Sequence, residues 1–310
     1  MKNNATKNLI QSLEDKYSAI NQDKNVYLEG LLHSKTINYW DYIHTDALLN
    51  LQIQRTTLPD EMVFIGYHQI NELIFKMILW ELQQLAEMPV LNVDIFTDKL
   101  MRVSRYFDML TSSFAIMQDG MDLAQYNKFR HTLTPASGFQ SAQYRKIEFA
   151  STELINLIDP RFRETIDRDT AFEHAFEHLY WQAAGKDFKT GKKSILLTNF
   201  ETRYKEEFIT FMKVYNTKNL WTRYKELSVN DQKNNTLVNA MRHYDYTVNI
   251  TWVMAHFNAA KHYILASSGD GEATGGSNWQ KYMHPKYQKR IFFPELWSQI
   301  EKENWGNEVD

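Results

Sequence analysis

Two arginines flank a short rigid turn in the middle of the chain. Residues 130–145 read RHTLTPASGFQSAQYR, so Arg130 and Arg145 lie on either side of a Pro, a Ser and a Gly. An arginine can bind a carboxylate through two parallel hydrogen bonds. The spacing therefore suits two carboxylates held at a fixed distance, although surface salt bridges are the simpler explanation of the two arginines alone.

Histidines are the other candidates for chemistry, because the chain has ten of them and no cysteine. His68 lies in a long apolar helical segment, where it could line a pocket or be a hydrogen-bonded core residue. His256 follows an apolar run and precedes Asn258, Ala259 and Ala260, which leave room for a flat group. A lone imidazole with space beside it suits an axial haem ligand. Taken alone, however, this pattern is explained better by an ordinary core histidine.

Two further patterns carry weaker signals. His174 and His178 are four residues apart, a spacing that can bind a metal ion on one helix face, but no third ligand follows and a solvated helix explains the pair better. The stretch ATGGSN at 273–278 lacks the strand, spaced glycines and lysine of nucleotide-binding loops. Thr274 nevertheless carries a hydroxyl on backbone that can approach a ligand closely.

The composition indicates a soluble protein. Its 35 Lys and Arg residues nearly balance 38 Asp and Glu residues, for a net charge of -3, so neither nucleic acid nor membrane is an expected partner. The absence of cysteine excludes disulfides and fits the cytoplasm. No signal peptide is seen, and the most apolar run, 62–80, contains too many polar residues for a membrane span.

Helical periodicity dominates the chain, and no alternating strand pattern is seen. The clearest helix is predicted over 60–88, between Pro59 and Pro89, and its apolar residues on nearly all sides predict a central, buried position. Further helices are predicted at about 94–118, 121–132, 140–157, 161–183, 195–227 and 230–266. We predict an all-α protein in which a hydrophilic arm, residues 1–35, precedes one large helical domain, residues 36–310.

Five ordered blocks together resemble the tryptophan 2,3-dioxygenase family. They are NYWDYIHTDALLNLQ at 38–52, DEMVFIGYHQINELIFKMILWEL at 60–82, FRHTLTPASGFQSAQYRKIE at 129–148, WVMAHF at 252–257 and ATGGSNWQKY at 273–282. The stretch from about 160 to 245 is only loosely similar. The resemblance implies a helical bundle enclosing haem b. It also implies cleavage of the indole C2–C3 bond of L-tryptophan by O₂ to give N-formyl-L-kynurenine, the first step of the kynurenine route.

The resemblance assigns a role to each candidate residue. His256 corresponds to the proximal ligand of the haem iron, and His68 to the distal catalytic histidine that hydrogen-bonds the indole N–H. The substrate-binding residues are the aromatic walls Phe64 and Tyr126, the carboxylate-binding Arg130, the ammonium-binding Thr274, and Tyr39, Tyr42 and Ile43 from a neighbouring subunit. The cofactor-binding residues are Ser137, Gly138, Arg145 and Trp252. A homotetramer with exchanged N-terminal segments follows from the same resemblance.

Free tryptophan is a zwitterion with a flat apolar body, and these residue types match its groups. Three positions depart from the family pattern: a longer loop at 267–273, Val253 in place of an arginine, and Trp279 in place of a small residue. They are expected to affect pocket closure and haem anchoring. Two alternatives remain: a haem-dependent monooxygenase that hydroxylates a substituted tryptophan or indole, and a non-catalytic haem or gas-binding protein. A helical scaffold without a cofactor is a third.

Overall fold

The computed structural model describes three ranges of the chain: residues 2–130, 141–267 and 283–307. Within these ranges the chain consists of helices joined by turns. The β-structure that they contain is limited to two isolated bridges, Ile158 with Leu179 and Lys186 with Lys193. The predicted all-α fold is therefore confirmed.

The chain divides into two compact units, Met1–Gln52 and Ile53–Asp310. The first unit contains four helices: α1 (Lys2–Ser18), α2 (Lys24–His33), α3 (Tyr39–Ile43) and α4 (Thr45–Leu48). Asp23 begins α2 because its carboxylate accepts the N–H of Asn25. Helices α2, α3 and α4 have no buried residue. The assignment of residues 1–35 as an arm that reaches a neighbouring subunit stays a prediction.

Helix α5 (Asp60–Ala86) opens the second unit and confirms the helix predicted over 60–88. The Glu61 carboxylate accepts the N–H groups of Arg55 and Thr56 at 2.9 and 2.7 Å, which fixes the turn before the helix. The prediction that α5 is buried on all sides is wrong. One face is buried, whereas the opposite face exposes an apolar stripe: Ile70, Leu73, Met77 and Trp80.

Helix α5 packs against α6, α8 and α9. Their bounds are α6 (Val93–Ser112), α7 (Phe114–Gln118), α8 (Leu123–Phe129) and α9 (Ala142–Ser151). Side chains cap three of them, because Asn92, Asp122 and Ser141 accept N–H groups of the first turns of α6, α8 and α9. Helix α6 is amphipathic, and its buried face carries Phe96, Leu100, Val103, Phe107 and Leu110 at alternating spacings of four and three residues.

The helix predicted over 161–183 is wrong. This region contains short 3₁₀ turns, Pro160–Phe162 and Tyr180–Ala184, and one short helix, α10 (Phe172–Phe176). The cause is local, because the Asp167 carboxylate accepts the N–H of Asp169 at 3.1 Å and the hydroxyl of Thr170 at 2.7 Å. Such side-chain bonds offer the backbone an alternative to helix.

The remaining helices are α11 (Ile195–Tyr215), α12 (Leu220–Lys225), α13 (Val229–Gln232), α14 (Asn235–Tyr246), α15 (Trp252–Ser267), α16 (Pro285–Gln288) and α17 (Gln299–Glu303). The helix predicted over 195–227 is divided because Asn219 caps α12 by accepting the N–H of Thr222 at 2.9 Å. One turn of π-helix, Thr247–Thr251, joins α14 to α15.

The core of the second unit has a large cluster and a smaller one. The large cluster draws on α5, α6, α9, α11 and α14. The smaller cluster contains Tyr67, Phe114, Phe129 and Tyr263, and so joins α5, α7, α8 and α15. None of the helices in the described ranges is long and apolar enough to span a lipid bilayer.

Candidate functional site

His256 lies in the second turn of α15 and is only partly buried. Its ring stacks on Phe114, with centroids 5.4 Å apart and planes at 11°, and lies 5.7 Å from the ring of Trp252. Desolvation and, to a smaller extent, the positive form of His68 lower the pKa of His256 to about 4. Its ring nitrogens have no hydrogen-bond partner in the described part of the chain. The imidazole is therefore neutral at pH 7 and can donate a lone pair to a metal ion.

His68 lies on α5, with its Nδ1 atom 2.7 Å from the carbonyl oxygen of Phe64. A carbonyl oxygen only accepts, so Nδ1 carries the hydrogen and donates it. Desolvation lowers the pKa of His68, against the opposing effects of this hydrogen bond and of Glu72. In the neutral ring, Nε2 is then an acceptor. The side chain is accessible, and Nε2 can accept a hydrogen bond from a ligand N–H group.

Phe64, whose ring packs on this histidine, belongs to a group of aromatic rings from three helices. Phe64 on α5 lies 4.0 Å from His68, 6.3 Å from Tyr126 and 5.8 Å from Phe129, measured between ring centroids. Tyr126 on α8 lies 4.3 Å from Tyr263 on α15. The Tyr263 hydroxyl donates to the carbonyl oxygen of Met117. These contacts form a rigid aromatic wall.

Arg130 follows α8 directly and is 8% exposed. Desolvation raises the pKa of the Tyr126 phenol, and the positive charge of Arg130 partly opposes that rise, so the guanidinium lies close to the aromatic wall. We call the group formed by His68, His256, Phe64, Tyr126 and Arg130 the histidine site. It combines a neutral acceptor, a neutral lone-pair donor, apolar rings and one buried cation.

Arg145 lies in different surroundings. Its Nη1 atom is 2.9 Å from Glu148 and donates to the Tyr180 hydroxyl at 2.8 Å, and its guanidinium lies 4.7 Å from the Tyr144 ring centroid. Arg290 also donates to Glu148 and Tyr180. We call Tyr144, Arg145, Glu148, Tyr180 and Arg290 the buried ionic network. The predicted contact between Arg145 and haem stays a prediction, and the structure adds an internal carboxylate that already binds this arginine.

Trp252 lies between the two groups. Its ring is 4.7 Å from Tyr144 and 5.7 Å from His256. Its indole Nε1–H is buried and has no acceptor among the residues that the structure describes. Buried donors are nearly always paired in native proteins, so this N–H is suited to an acceptor on a bound group. The prediction that Trp252 binds the cofactor is untested.

The structure does not test several of the predicted site residues. Ser137, Gly138 and Thr274 lie outside the described residues, as do Trp279 and nearly all of the loop at 267–273. Val253 is buried on α15. Tyr39, Tyr42 and Ile43 belong to the first unit, where all three are exposed. Their predicted contact with a neighbouring subunit stays a prediction.

The pair His174 and His178 lies on and directly after α10. Their ring centroids are 4.8 Å apart, and the Nδ1 atom of His178 is 3.0 Å from the carbonyl oxygen of His174. The described residues contain no group of three His, Cys, Asp or Glu side chains suited to a metal ion.

Sequence reasoning missed three ring contacts of the site. Tyr263 lies seven residues after His256, and this helical spacing could have placed it on the same face. Tyr67 precedes His68, and its ring lies 5.4 Å from the imidazole. Phe114 begins α7 after a break at Ser113, and no local signal connects it to His256.

The fold and these side chains define a helical protein with two neutral histidines, from α5 and α15, beside an aromatic wall. The family model for tryptophan 2,3-dioxygenase matches residues 29–270, and the chain belongs to that family.

Three relatives that carry the name tryptophan 2,3-dioxygenase illustrate the likeness. One from Ruegeria sp. (strain TM1040) is 44% identical over 115 residues, which cover 36% of this chain and 40% of the relative. One from Sorangium cellulosum is 36% identical over 155 residues, 46% of this chain and 36% of the relative. One from Bacillus cereus is 28% identical over 304 residues, 89% of this chain and 98% of the relative. The matches of higher identity thus span about two fifths of the relatives' length.

Proposed function

We propose that this protein is a haem-dependent dioxygenase that cleaves the indole C2–C3 bond of L-tryptophan with O₂ and releases N-formyl-L-kynurenine. The observation that supports this function best is the pairing of two neutral histidines. His256 has no partner among the described residues, and His68 presents Nε2 as an acceptor beside Phe64, Tyr126 and Arg130.

The residues around His256 fit haem b. The imidazole can ligate iron, and the unpartnered N–H of Trp252 can donate to an acceptor on the cofactor's edge. The side chains of Ala255, Ala259 and Ala260 are small, so they leave space beside α15 that suits a flat macrocycle. When bound, the haem iron supplies the binding and activation of O₂. In the proposed site Ser137, Gly138 and Arg145 also contact the cofactor.

The protein's own contribution is to orient the substrate. Arg130 binds the carboxylate of tryptophan, Thr274 contacts the ammonium group, and the rings of Phe64 and Tyr126 hold the indole. The Nε2 atom of His68 accepts the indole N–H. This acceptor sets the rotation of the indole ring, so that the C2–C3 bond faces the cofactor.

His68 acts by hydrogen bonding rather than by removing the indole proton. The indole N–H is a very weak acid, and desolvation makes His68 a weaker base than free histidine. A positioned acceptor suffices to orient the ring. The aromatic wall and the buried side of α15 exclude water from the reacting atoms.

We further propose a homotetramer in which Tyr39, Tyr42 and Ile43 of one chain complete the pocket of another. This assembly is supported by the exposure of Tyr39 and Tyr42, which are 72% and 73% accessible in the single chain. Large exposed aromatic side chains are typical of surfaces that bind a partner. The near-neutral charge gives no reason to add nucleic acid or membrane as partners, and the lack of cysteine suits the cytoplasm.

The decisive experiment is a mass analysis of the product. Purified protein reconstituted with haem is reduced without oxygen, mixed with L-tryptophan and then exposed to ¹⁸O₂. We expect a product with two labelled oxygen atoms. One labelled atom would instead support the monooxygenase, and unchanged tryptophan with fully bound haem would support a non-catalytic haem protein. A chain without a Soret band after reconstitution would exclude all three.

A further inference from the structure

The helix that carries His256 is preceded by one buried turn of π-helix, Thr247–Thr251. Val248 and Ile250 in this turn are fully buried, and Asn249 is 1% exposed. A π turn holds one residue more than an α-helical turn, is rare, and occurs often at functional sites. The position of this one, directly before α15, connects it with the histidine site.

The π turn decides which residue of α15 faces the site. Leu237, Tyr244 and Val248 lie along the buried side of the preceding helix. In an uninterrupted α-helix with about 3.6 residues per turn, the residue seven positions after Val248 would continue this line, and that residue is Ala255. The added residue rotates the following helix by roughly 100°. The line therefore continues through His256.

Contacts within α15 agree with this rotation. The residues of α15 that pack with the smaller core cluster are Trp252, Ala255, Ala259 and Tyr263, and three of them, Trp252, Ala259 and Tyr263, lie on the same face as His256. A plain α-helix would turn that face away from Phe114, on which the imidazole stacks. Keeping the π turn is therefore a condition for the stacking of His256 on Phe114.

Asn249 lies in the π turn, and its side-chain amide both donates and accepts a hydrogen bond. Its Nδ2 atom donates to the Asp245 carboxylate at 2.6 Å, and its Oδ1 atom accepts from the Nε atom of Arg290. The Nη2 atom of Arg290 also lies 3.4 Å from the carbonyl oxygen of Val248, within the same turn. Groups from outside the helix thus satisfy polar groups of the turn.

Asp245 connects the turn to the C-terminal segment. Its carboxylate is fully buried and accepts the N–H groups of Phe292 and Phe293 at 2.8 and 2.9 Å and the indole N–H of Trp297 at 2.9 Å. Together with Asn249, these donors fix both carboxylate oxygens. The position of residues 292–297 is thereby coupled to the helix before His256.

Arg290 connects the turn to the buried ionic network. It is 3% exposed, is bound to Glu148, and donates from Nη2 to the Tyr144 hydroxyl at 2.8 Å. Tyr144 packs in turn on Trp252, with ring centroids 4.7 Å apart. The same guanidinium thus reaches α15 twice, once through Asn249 and once through Tyr144.

We propose that Asp245, Asn249 and Arg290 form a clamp that maintains the π turn and so sets the direction in which His256 faces. In this assignment Asn249 and Arg290 are positioning residues that act through His256. The proposal rests on the proposed function, because it takes His256 to be the haem ligand.

The test compares two variants that each remove a buried hydrogen bond to the C-terminal region. Asn249→Leu breaks the clamp within the π turn. Thr152→Val is the matched control, because it removes the hydroxyl that donates to the Phe292 carbonyl oxygen and leaves the π turn untouched. Both proteins are checked for helix content and thermal unfolding, titrated with haem, and examined by electron paramagnetic resonance in the ferric state.

We expect Asn249→Leu to weaken haem binding roughly 10–100-fold, as is usual for residues that orient a metal ligand, and to change the ferric spectrum. Thr152→Val should keep the wild-type affinity and spectrum despite its loss of stability. If Asn249→Leu behaves like Thr152→Val in both measurements, the clamp only stabilises the fold and the proposal is wrong.

A second measurement needs no variant. Hydrogen exchange of the apoprotein should show amides of residues 247–256 protected to the same degree as the core of α6, and rapid exchange there would contradict the clamp.

A separate His256→Ala titration distinguishes the two proposals. Unchanged haem affinity in His256→Ala would overturn the ligand assignment. If His256→Ala loses haem affinity but Asn249→Leu binds haem as tightly as the wild type, only the clamp proposal is wrong.

Discussion

The histidine site and the buried ionic network lie next to each other, yet they are built in opposite ways. In the network, Glu148 binds two guanidinium groups and a tyrosine hydroxyl, all of them buried. In the site, His256 and the Trp252 N–H have no partner among the described residues. Polar groups that are paired with each other stabilise the fold, whereas polar groups without such a partner are available to a ligand.

The two arginines at either end of residues 130–145 lie in different surroundings. Arg145 has a carboxylate at 2.9 Å and a hydroxyl at 2.8 Å within its own chain. Arg130 lies beside Tyr126 at the aromatic wall. The same residue type at the two ends of one short stretch therefore lies in two different environments, and only the tertiary structure distinguishes them.

The largest expected effect is that of His256→Ala. Removing the imidazole should abolish stable haem binding, because no other side chain of the histidine site except His68 can ligate iron. The Soret absorbance after reconstitution and desalting measures this effect. Thermal unfolding of the apoprotein should stay close to wild type, since the ring makes no hydrogen bond that the change would break. Full haem retention would transfer the ligand role to another residue.

Glu148→Gln should have the next largest effect, and it acts on stability. The change leaves Arg145 and Arg290 buried without their carboxylate, which costs about 3–5 kcal/mol in comparable cases. Urea denaturation of the apoprotein measures the loss. The control is Glu207→Gln, which removes a carboxylate paired with Lys146 at the surface and should cost less than about 1 kcal/mol. Equal losses would show that the network is not the main electrostatic support of the fold.

Arg130→Ala tests the other arginine through catalysis. Its loss should lower kcat/KM for L-tryptophan by an amount that corresponds to about 2–5 kcal/mol, because the substrate carboxylate loses its buried partner. Haem content should not change. A matched measurement with an indole that lacks the carboxylate should show little difference between the two proteins. A small effect on both compounds would argue for a different substrate.

His68→Ala should be milder. The lost hydrogen bond to the indole N–H is worth about 0.5–1.5 kcal/mol, so we expect reduced but measurable turnover. A neutral acceptor with a lowered pKa also predicts that kcat/KM of the wild type does not fall between pH 7 and 8. Complete loss of activity with normal haem content would mean that His68 transfers a proton.

The smallest expected effect is that of Glu177→Gln, which removes a carboxylate from a cluster of ion pairs at the surface. Hydrogen bonds from Lys193, Lys205 and Lys186 lower the pKa of Glu177 to about 2, although burial opposes this. A carboxylate whose pKa is lower in the folded state contributes stability above its unfolded pKa and loses it as the pH falls. Glu177→Gln should therefore cost about 1 kcal/mol at pH 7, and the difference from wild type should vanish between pH 4.5 and 2. Thermal unfolding at several pH values measures it, and a constant difference would contradict the assignment.

The placement of Phe64 beside His68 and of Arg145 beside Glu148 could be predicted from sequence because the signals are local. Phe64 and His68 are one turn apart on a long amphipathic helix, and Asp60 and Glu61 mark its start. The pairing of Arg145 with Glu148 follows an i, i+3 spacing that could have been recognised. These features depend on periodicity, which a single chain displays directly.

The remaining features depend on distant residues or on competing local bonds. Arg290 contacts Asn249 and Tyr144 across long separations in sequence, and no periodicity predicts those contacts. The π turn leaves no mark in the hydrophobic pattern, so residues 230–266 were predicted as one regular helix. The apolar spacing of residues 161–183 favours a helix, but hydrogen bonds to the Asp167 carboxylate stabilise a turn there instead.

The dependence of the π turn on Arg290 has a consequence for biosynthesis. Chains fold progressively as they leave the ribosome, with N-terminal regions first. Arg290, Phe292 and Trp297 emerge well after His256, so α15 reaches its final rotation only when this later stretch has docked. We therefore expect haem insertion to follow translation of the C-terminal segment, and nascent chains arrested before Arg290 to bind the cofactor poorly.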